Sequence, residues 1–334
     1  MTRSLITGGA GFIGSHLAEL LLERGDHVSI IDNESTGTRD NLAGVIDHPR
    51  LSYMKGDVAD SDLMRDLLQD ADEVYHLAAA VGVQLIASSP IHTLETNIRP
   101  TENLLAELGK LHDQGREIRF FLASTSEVYG KNPKTPWVED DDIVFGATTR
   151  PRWSYGVSKA VDEFFALAYA KEKKMPIVIG RFFNVVGPRQ TGAYGMVLPR
   201  FVDAAIDGQP ITIHDDGDQV RCFAHVQDVI RAIVSLVALP EAFGNIYNIG
   251  SDRAASILEL AKLVRKEAGG PEVPFQFVSY AEAYSADFED CRRRVPNLSR
   301  LKTTIGYEPQ YSLEEIVEEV IAYKRGERQR KENK

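Results

Sequence analysis

A glycine-rich turn near the start of the chain constrains its fold more than any other feature. Residues 7–14 read TGGAGFIG; they follow a short apolar run at 4–6 and lead into leucines with helical spacing. A strand, a glycine turn and a helix in this order bring backbone N–H groups and the positive end of a helix dipole to one point, which favours a bound pyrophosphate. The sequence therefore predicts dinucleotide binding at Gly8, Gly11, Phe12, Ile13 and Gly14.

An acidic residue, Asp32, ends the next apolar run, at residues 28–31. A carboxylate about twenty residues after the glycine turn accepts hydrogen bonds from the adenosine ribose and repels a 2′-phosphate. This spacing favours NAD over NADP as the cofactor. A glycine turn alone would also suit a strand-to-helix connection without a ligand, so the prediction depends on Asp32 and on the flanking elements.

Composition and charge limit the partners that we expect. The 334 residues are 43% hydrophobic and 26% charged, and the net charge of −11 argues against nucleic acid as a primary partner. The two cysteines, Cys222 and Cys291, have no metal-ligand spacing, so we expect reduced thiols and no metal. Neither a signal peptide nor an apolar run of membrane-spanning length is recognisable, so we expect a cytoplasmic protein with no membrane partner.

Short β-rich runs alternate with helical patterns in the first half of the chain. This alternation predicts an α/β fold, a Rossmann-type doubly wound parallel sheet with helices on both faces. The predicted strands lie near residues 5–6, 28–31, 51–54, 73–77, 118–123 and 177–181, and the predicted helices near 13–24, 61–68, 96–111 and 155–171. We expect an NAD-binding domain over 1–183, a smaller substrate-binding lobe over 184–325 with some segments returning to the main sheet, and a frayed charged tail over 326–334.

Tyr155 and Lys159 stand four residues apart, on one face of the predicted helix at 155–171. A lysine ammonium near a phenol favours the phenolate, so we expect Lys159 to lower the pKa of Tyr155. The phenolate can then take the hydroxyl proton of an alcohol while the cofactor accepts the hydride. A tyrosine and a lysine at this spacing are common on helix surfaces, and the dinucleotide turn is what favours the catalytic interpretation.

Residues 123–130, ASTSEVYG, follow the predicted apolar strand at 118–123. Their polar side chains therefore lie at the carboxyl edge of the sheet, where ligands of such sheets bind. Thr125 is predicted to hydrogen-bond the alcohol that Tyr155 deprotonates, and Ser126 and Glu127 to face the adjoining part of the substrate. The alternative is a polar strand-to-loop cap with no ligand.

Together these motifs are similar to those of the nucleotide-sugar branch of the extended short-chain dehydrogenase/reductase family. The matching segments are TGGAGFIGSHL at 7–17, HLAA at 76–79, STSEVYG at 124–130, the Tyr-Lys pair, RFFNVVGPR at 181–189, QVRCF at 219–223 and VQD at 226–228. The resemblance implies bound NAD and oxidation of C4 of a nucleotide sugar, most often a UDP-sugar. It also implies homodimers joined through the helices near 96–111 and 155–171.

The resemblance extends to individual binding residues. Those implied for the cofactor are Asn33, Asp57, Val58, Leu77, Ala78 and Ala79, with Tyr155 and Lys159 at its nicotinamide end. Those implied for the substrate are Val81, Glu127, Asn184, Val197, Arg200, Arg221 and Arg294. Binding of the substrate diphosphate by Arg221 is also expected on physical grounds, because a guanidinium pairs with phosphate through parallel hydrogen bonds. His214 departs from the family pattern, which has a tyrosine near the base, so the nucleotide base stays open.

Several reactions share a 4-keto sugar intermediate, and two features favour decarboxylation of UDP-glucuronate to UDP-xylose or its 4-keto form. Ser126-Glu127 resembles the Ser-Glu of UDP-glucuronate decarboxylases, where many dehydratases have Asp-Glu. Arg294, two residues before Pro296, stands where those decarboxylases carry an arginine. In this reading Glu127 orients the sugar and handles the proton at C5. A UDP-glucuronate or UDP-glucose 4-epimerase, an NDP-hexose 4,6-dehydratase and a non-catalytic NAD-sensing protein stay open as alternatives.

Overall fold

The computed structural model describes residues 1–80, 82, 89–270, 272–284 and 288–332, and its centre is a seven-stranded sheet. Across the sheet the strands are β11 (Asn245–Ile249), β6 (Ile177–Phe182), β5 (Arg119–Thr125), β4 (Glu73–His76), β1 (Arg3–Thr7), β2 (His27–Asp32) and β3 (Leu51–Lys55). Every neighbouring pair is parallel. The predicted α/β fold with a doubly wound parallel sheet is confirmed.

Some of the helices cover both faces of this sheet, and others belong to the second half of the chain. In chain order they are α1 (Phe12–Arg24), α2 (Ser61–Gln69), α3 (Pro90–Asp113), α4 (Ser154–Lys173), α5 (Val197–Ile206), α6 (Val226–Val237), α7 (Ile257–Ala268), α8 (Tyr280–Ala283), α9 (Ser299–Ile305) and α10 (Leu313–Glu332). One apolar core lies between the sheet and the pair α1 and α6, and a second between the sheet and α2, α3 and α4. Because both faces are buried, the inner strands are rich in apolar residues, whereas the edge strand β3 is partly exposed.

In the second half of the chain, the described residues form three two-stranded sheets. Parallel pairs join β7 (Val185–Val186) to β10 (Ala224–His225) and β8 (Ile211–His214) to β13 (Phe275–Val278), and an antiparallel pair joins β9 (Val220–Cys222) to β12 (Ala254–Ser256). A third apolar core holds α5, α7 and α10 together. This lobe covers the carboxyl ends of the main strands.

The final helix corrects one prediction. Residues 326–334 were expected to be frayed, but α10 continues to Glu332. The Arg328 guanidinium lies 3.3 Å from the Asp203 carboxylate and donates a 3.0 Å hydrogen bond to Asp207, both on or beside α5. The charges of this segment are therefore partly satisfied by the lobe, which stabilises the last turns of the helix.

A membrane-crossing helix needs a long and continuously apolar stretch, and none of the helices among the described residues has one.

Candidate active site

A cleft of about 1060 Å³ lies at the carboxyl ends of the main strands, between the sheet and the lobe. The order of strands reverses between β1 and β4, which opens a crevice at this edge. Most of the residues predicted for the site line the cleft: Gly8, Gly11, Phe12, Ile13, Gly14, Asp32, Asn33, Asp57, Val58, Leu77, Ala78, Ala79, Thr125, Ser126, Glu127, Tyr155, Asn184, Val197, Arg200, Arg221 and Arg294. Lys159 does not line it, and Val81 lies outside the described residues.

The glycine turn forms a cradle that fits a dinucleotide. Helix α1 begins after Gly11 with no side-chain cap, so the first N–H groups of the helix face the cleft. Gly8 has a φ of +72°, and a Cβ there would lie 2.8 Å from the backbone nitrogen of Ala78. A Cβ on Gly14 would lie 2.3 Å from the carbonyl oxygen of Gly8. Only glycines allow this close packing of turn, helix and neighbouring strand.

Asp32 ends β2 beside this cradle. Its Oδ2 accepts a 2.9 Å hydrogen bond from the Ala10 amide, and its Oδ1 accepts a 2.7 Å hydrogen bond from the Glu34 amide. Burial raises the pKa of Asp32, and the backbone donors oppose that rise because they stabilise the carboxylate. These two bonds fix the carboxylate at the end of β2, directly beside the glycine cradle.

Tyr155 and Thr125 meet at the bottom of the cleft. Thr125 ends β5, and Tyr155 lies in the first turn of α4, where the adjacent Gly156 allows close packing: a Cβ there would lie 2.7 Å from the Glu127 carbonyl oxygen. Burial, followed by the charge of Glu127, raises the pKa of Tyr155, whereas a hydrogen bond with the Thr125 hydroxyl lowers it. The two hydroxyls are therefore adjacent, as the predicted alcohol site requires.

The pKa of Tyr155 is raised in this structure, with burial as the largest cause, so burial outweighs the lowering that is expected from Lys159. The Lys159 ammonium lies 2.8 Å from the Asp162 carboxylate, and both side chains are buried. A carboxylate this close cancels much of the field of the ammonium at the phenol. Asp162 follows Lys159 at a helical i,i+3 spacing, so the pair was recognisable in the sequence but was missed.

Two guanidinium groups bind the Glu127 carboxylate. Arg152 donates to both of its oxygens, one bond measuring 3.1 Å, and Arg294 donates to Oε1 at 3.1 Å. Burial alone would raise the pKa of Glu127, but the charges of Arg152 and Arg294 outweigh burial and lower it to about 2. Glu127 is thus ionised throughout the physiological pH range.

A second carboxylate, Asp290, extends this cluster towards the lobe. Its Oδ1 accepts a 2.8 Å bond from Arg294, and its Oδ2 accepts a 2.8 Å bond from Arg221. Burial would raise the pKa of Asp290, but Arg294, Arg221 and Arg152 together lower it well below the usual range. Three guanidinium groups against two carboxylates leave this wall of the cleft positive, which suits an anionic ligand.

Backbone pairing brings the two distant arginines together. Val220 on β9 exchanges hydrogen bonds with the loop before Pro296: its amide donates to Arg292, and its carbonyl accepts from Arg294. Arg221 and Arg294 therefore reach Asp290 from adjacent backbone segments. Arg152 comes from a short 3₁₀ turn, Pro151–Trp153, directly before α4. Arg152 and Asp290 were not predicted, although Arg152 stands three residues before Tyr155 and Asp290 four before Arg294.

Aromatic rings that the sequence analysis missed line the cleft beside Asp290, whose Oδ2 accepts a 3.2 Å hydrogen bond from the Tyr280 hydroxyl. Tyr284 stacks on Phe288 with ring centroids 4.3 Å apart, and His214 meets Tyr284 edge-on at 5.3 Å. Arg200 lies beside them, with a terminal nitrogen 3.5 Å from His214. Burial, helped by Arg200, lowers the pKa of His214, so the imidazole is neutral near pH 7. A flat, partly apolar wall of this kind suits a nucleobase.

Comparison with known proteins decides the family. The chain matches the family described as GDP-mannose 4,6-dehydratase over residues 5–320, almost its whole length. The chain belongs to the extended short-chain dehydrogenase/reductase family of nucleotide-sugar epimerases and dehydratases. The protein is accordingly an enzyme of the NAD-dependent, sugar-nucleotide-modifying type, and the resemblance inferred from the motifs is confirmed.

Relatives within this family have different specific activities. The chain is 39% identical to a UDP-N-acetyl-α-D-glucosaminuronate decarboxylase of Bacillus cytotoxicus, over 96% of this chain and 97% of that protein. It is 33% identical to UDP-glucuronic acid decarboxylase 1 of Xenopus tropicalis, over 99% of this chain and 74% of that protein. The solved UDP-glucuronic acid 4-epimerase of Bacillus cereus, in complex with UDP-glucuronic acid and NAD, superposes with a TM-score of 0.85 at 30% identity, covering 97% of this chain and 99% of that one.

Proposed function

We propose that the enzyme is an NAD-dependent decarboxylase of a UDP-uronic acid. The observation that carries this proposal is the state of Glu127: two arginines hold it as a carboxylate whose pKa is about 2. A group with so low a pKa is a poor general acid near neutral pH, so it is unsuited to protonate a leaving hydroxyl at C6 in a 4,6-dehydration. Decarboxylation needs no such acid. For the same reason Glu127 is a poor proton donor to C5 near neutral pH, and its proposed role is to orient the sugar.

The positive wall suits the substrate of this reaction. A UDP-uronate carries a diphosphate and a sugar carboxylate, and Arg152, Arg221 and Arg294 line or adjoin one stretch of the cleft. Arginine is the side chain best matched to both anions, because its planar fork donates parallel hydrogen bonds. Thr125 and Tyr155 adjoin this wall through Glu127, so the site can bring the C4 hydroxyl and the C5 carboxylate to different groups.

The proposed chemistry follows from these groups. Tyr155 takes the proton of the C4 hydroxyl, and Thr125 donates a hydrogen bond to the C4 oxygen. NAD, when bound on the glycine cradle, would supply the hydride acceptor. A ketone at C4 makes the C5 carboxylate a β-keto acid, so the C5–C6 bond breaks, carbon dioxide leaves, and the electron pair stays in an enolate. The enolate then takes a proton at C5 from water. The 4-keto sugar is released, or the hydride would return to C4 while Tyr155 gives its proton back to the C4 oxygen. The Thr125 and Tyr155 hydroxyls stabilise the negative charge on the enolate oxygen.

Two uronates are candidate substrates. The sequence motifs favour UDP-glucuronate, whereas the 39% identical relative is a decarboxylase of UDP-N-acetylglucosaminuronate. The two sugars differ at C2, distant from the C4 and C5 atoms at which the reaction occurs. We therefore include both in the test of function.

Proton NMR of the reaction distinguishes the possible products. The purified enzyme is incubated with NAD and either uronate, and the C5 and C4 protons are followed. Decarboxylation predicts a second proton on C5 and loss of the carboxylate. Unchanged spectra with both uronates, or conversion of a neutral UDP-hexose to a 6-deoxy-4-keto sugar, would contradict the proposal.

A 4-epimerase is the second candidate, favoured by the match to the UDP-glucuronic acid 4-epimerase structure. Epimerisation uses the same Tyr155 and Thr125 but returns the hydride to the other face of C4. Its product keeps one proton on C5 and changes the H3–H4 coupling in the same NMR experiment. That outcome would leave the arginines with a binding role only.

We also propose that the enzyme is a dimer joined through α3 and α4, as the family resemblance implies. These helices pack on each other and carry exposed apolar side chains: Ile91 is 72% exposed and Phe164 67% exposed. Phe164→Glu is expected to convert the dimer to a monomer, measured by light scattering after size exclusion. Phe277→Glu, at a 52% exposed site on β13, is the matched control and should leave a dimer. A wild-type monomer, or a dimer that Phe164→Glu leaves intact, would contradict this proposal.

A further inference from the structure

The buried ion pair of Lys159 and Asp162 has no assigned role in the chemistry above. The Lys159 side chain is 3% exposed and the Asp162 side chain is fully buried, with 2.8 Å between Nζ and Oδ2. The pair lies on α4, one turn after Tyr155. A buried carboxylate is costly unless it is paired, so its place beside Lys159 requires an explanation.

Among the groups around Asp162, Lys159 is the cation that pairs with its carboxylate. On α4 itself the next acid, Glu163, is bound by Arg181 of β6 at 2.7 Å. From α3, Asp162 is faced by the Thr101 hydroxyl, which lies 3.1 Å from His76 Nε2 on β4. Burial and the Lys159 charge lower the pKa of His76 to about 3, so His76 is neutral near pH 7. Lys159 is thus the cation that Asp162 balances.

The pKa of Tyr155 depends on its burial and on all of the nearby charges. Burial makes the largest contribution to its raised pKa, and the Glu127 and Asp162 carboxylates add to the rise. The Thr125 hydroxyl and the Arg152 guanidinium act in the opposite direction. Removing Glu127 would also leave two arginines without their partner. Asp162 pairs with one cation, Lys159, so its removal is the simpler test of how a single carboxylate affects the pKa of Tyr155.

We propose that Asp162 is a positioning residue: its carboxylate fixes the Lys159 ammonium within α4 and balances its charge one helical turn after Tyr155. The proposal rests on the proposed function in taking Tyr155 as the base for the C4 hydroxyl. Tyr155 must lose its proton before it can act as a base. The activity is therefore expected to rise as the pH rises through the pKa of Tyr155. With Asp162 neutralised, Lys159 is unopposed, which favours the phenolate and moves this rise to lower pH.

The test is a cycle of three variants at the pair. Asp162→Asn should move the acidic limb of the pH profile of kcat/KM down by about one pH unit, the size expected for one nearby charge in a partly buried site. Lys159→Met should move it up. The double variant should return the position of the acidic limb close to that of the wild type, because both charges are gone, whatever the loss of Lys159 does to the rate itself. It also remains informative if Asp162→Asn does not fold, since neutralising both members of a buried pair is tolerated better than removing one.

A direct titration separates this proposal from the proposed function. The ultraviolet absorbance of tyrosinate is followed against pH for each variant and for the same variant carrying Tyr155→Phe, and the difference reports Tyr155 alone. NAD affinity, measured by calorimetry, reports the position of Lys159, and Asp162→Glu should restore both readouts. An unchanged Tyr155 titration in Asp162→Asn, or a shift to higher pH, would overturn the proposal even if no uronate is turned over.

Discussion

Tyr155→Phe is expected to lower turnover by about a thousandfold, within the range for loss of a positioned general base. The substitution removes the phenolic oxygen that takes the C4 proton and keeps the ring that packs in the first turn of α4. The glycine cradle and Asp32 are untouched, so NAD affinity should be retained. Product formation by NMR and NAD binding by calorimetry, on the same preparation, test both halves of this prediction.

Tyr169→Phe is the matched control for that experiment. Tyr169 lies on the same helix, and its ring packs against Gly109 of α3, away from the residues that line the cleft. Removing its hydroxyl should leave turnover close to wild type. Turnover of Tyr155→Phe at a comparable rate would contradict the assignment of Tyr155 as the base.

Arg152→Met is the second substitution with a large expected effect. Arg152 is 3% exposed, and its removal leaves Glu127, itself 14% exposed, with Arg294 as its remaining guanidinium partner in the described structure. Breaking a buried ion pair from one side typically costs about 3 kcal/mol in the free energy of unfolding. Displacement of Glu127 by as little as about 1 Å is expected to lower kcat/KM by about a hundredfold.

The stability effect of Arg152→Met should depend on pH. The pKa of Glu127 is depressed from its ordinary value of 4.5 to about 2 in the folded protein. The ionised carboxylate therefore stabilises the fold at every pH above its pKa in the unfolded chain. This contribution is lost as the pH falls through the pKa that Glu127 has in the folded protein. The difference between wild type and variant should therefore be large at pH 7 and shrink towards pH 3 in urea denaturation.

Arg293→Met provides the control, because Arg293 is an exposed arginine next to Arg294 on the same loop. Its loss is expected to change the free energy of unfolding by less than about 0.5 kcal/mol. Equal effects of the two substitutions at pH 7 would contradict the role given to the Arg152–Glu127 pair.

Much of the site could be predicted because its residues occupy defined places in an α/β fold. The glycine turn, Asp32 and Thr125 all stand at the carboxyl ends of strands, and a parallel sheet brings these ends to one edge. Tyr155 follows from helix spacing and from the family motif. These inferences need only local patterns and one rule of topology.

The charge pairs could not be predicted in the same way. Arg294 binds Glu127 across 167 residues of sequence, a contact that depends on how β9 pairs with the loop before Pro296. The pKa of Tyr155 could not be predicted from Lys159 alone, because it depends on burial and on every nearby charge, Asp162 included. Helix α3 begins earlier than expected and passes through Pro100, because burial of its apolar face outweighs the local preference of proline.

The central claim is that a carboxylate leaves the sugar. Its most direct test uses UDP-glucuronate and UDP-N-acetylglucosaminuronate labelled with carbon-13 at C6, incubated with enzyme and NAD. The account predicts that labelled carbon dioxide and bicarbonate form from at least one of them in step with product, and that Tyr155→Phe abolishes the release. Label that stays in the nucleotide sugar while that sugar is converted would contradict decarboxylation and leave a 4-epimerase.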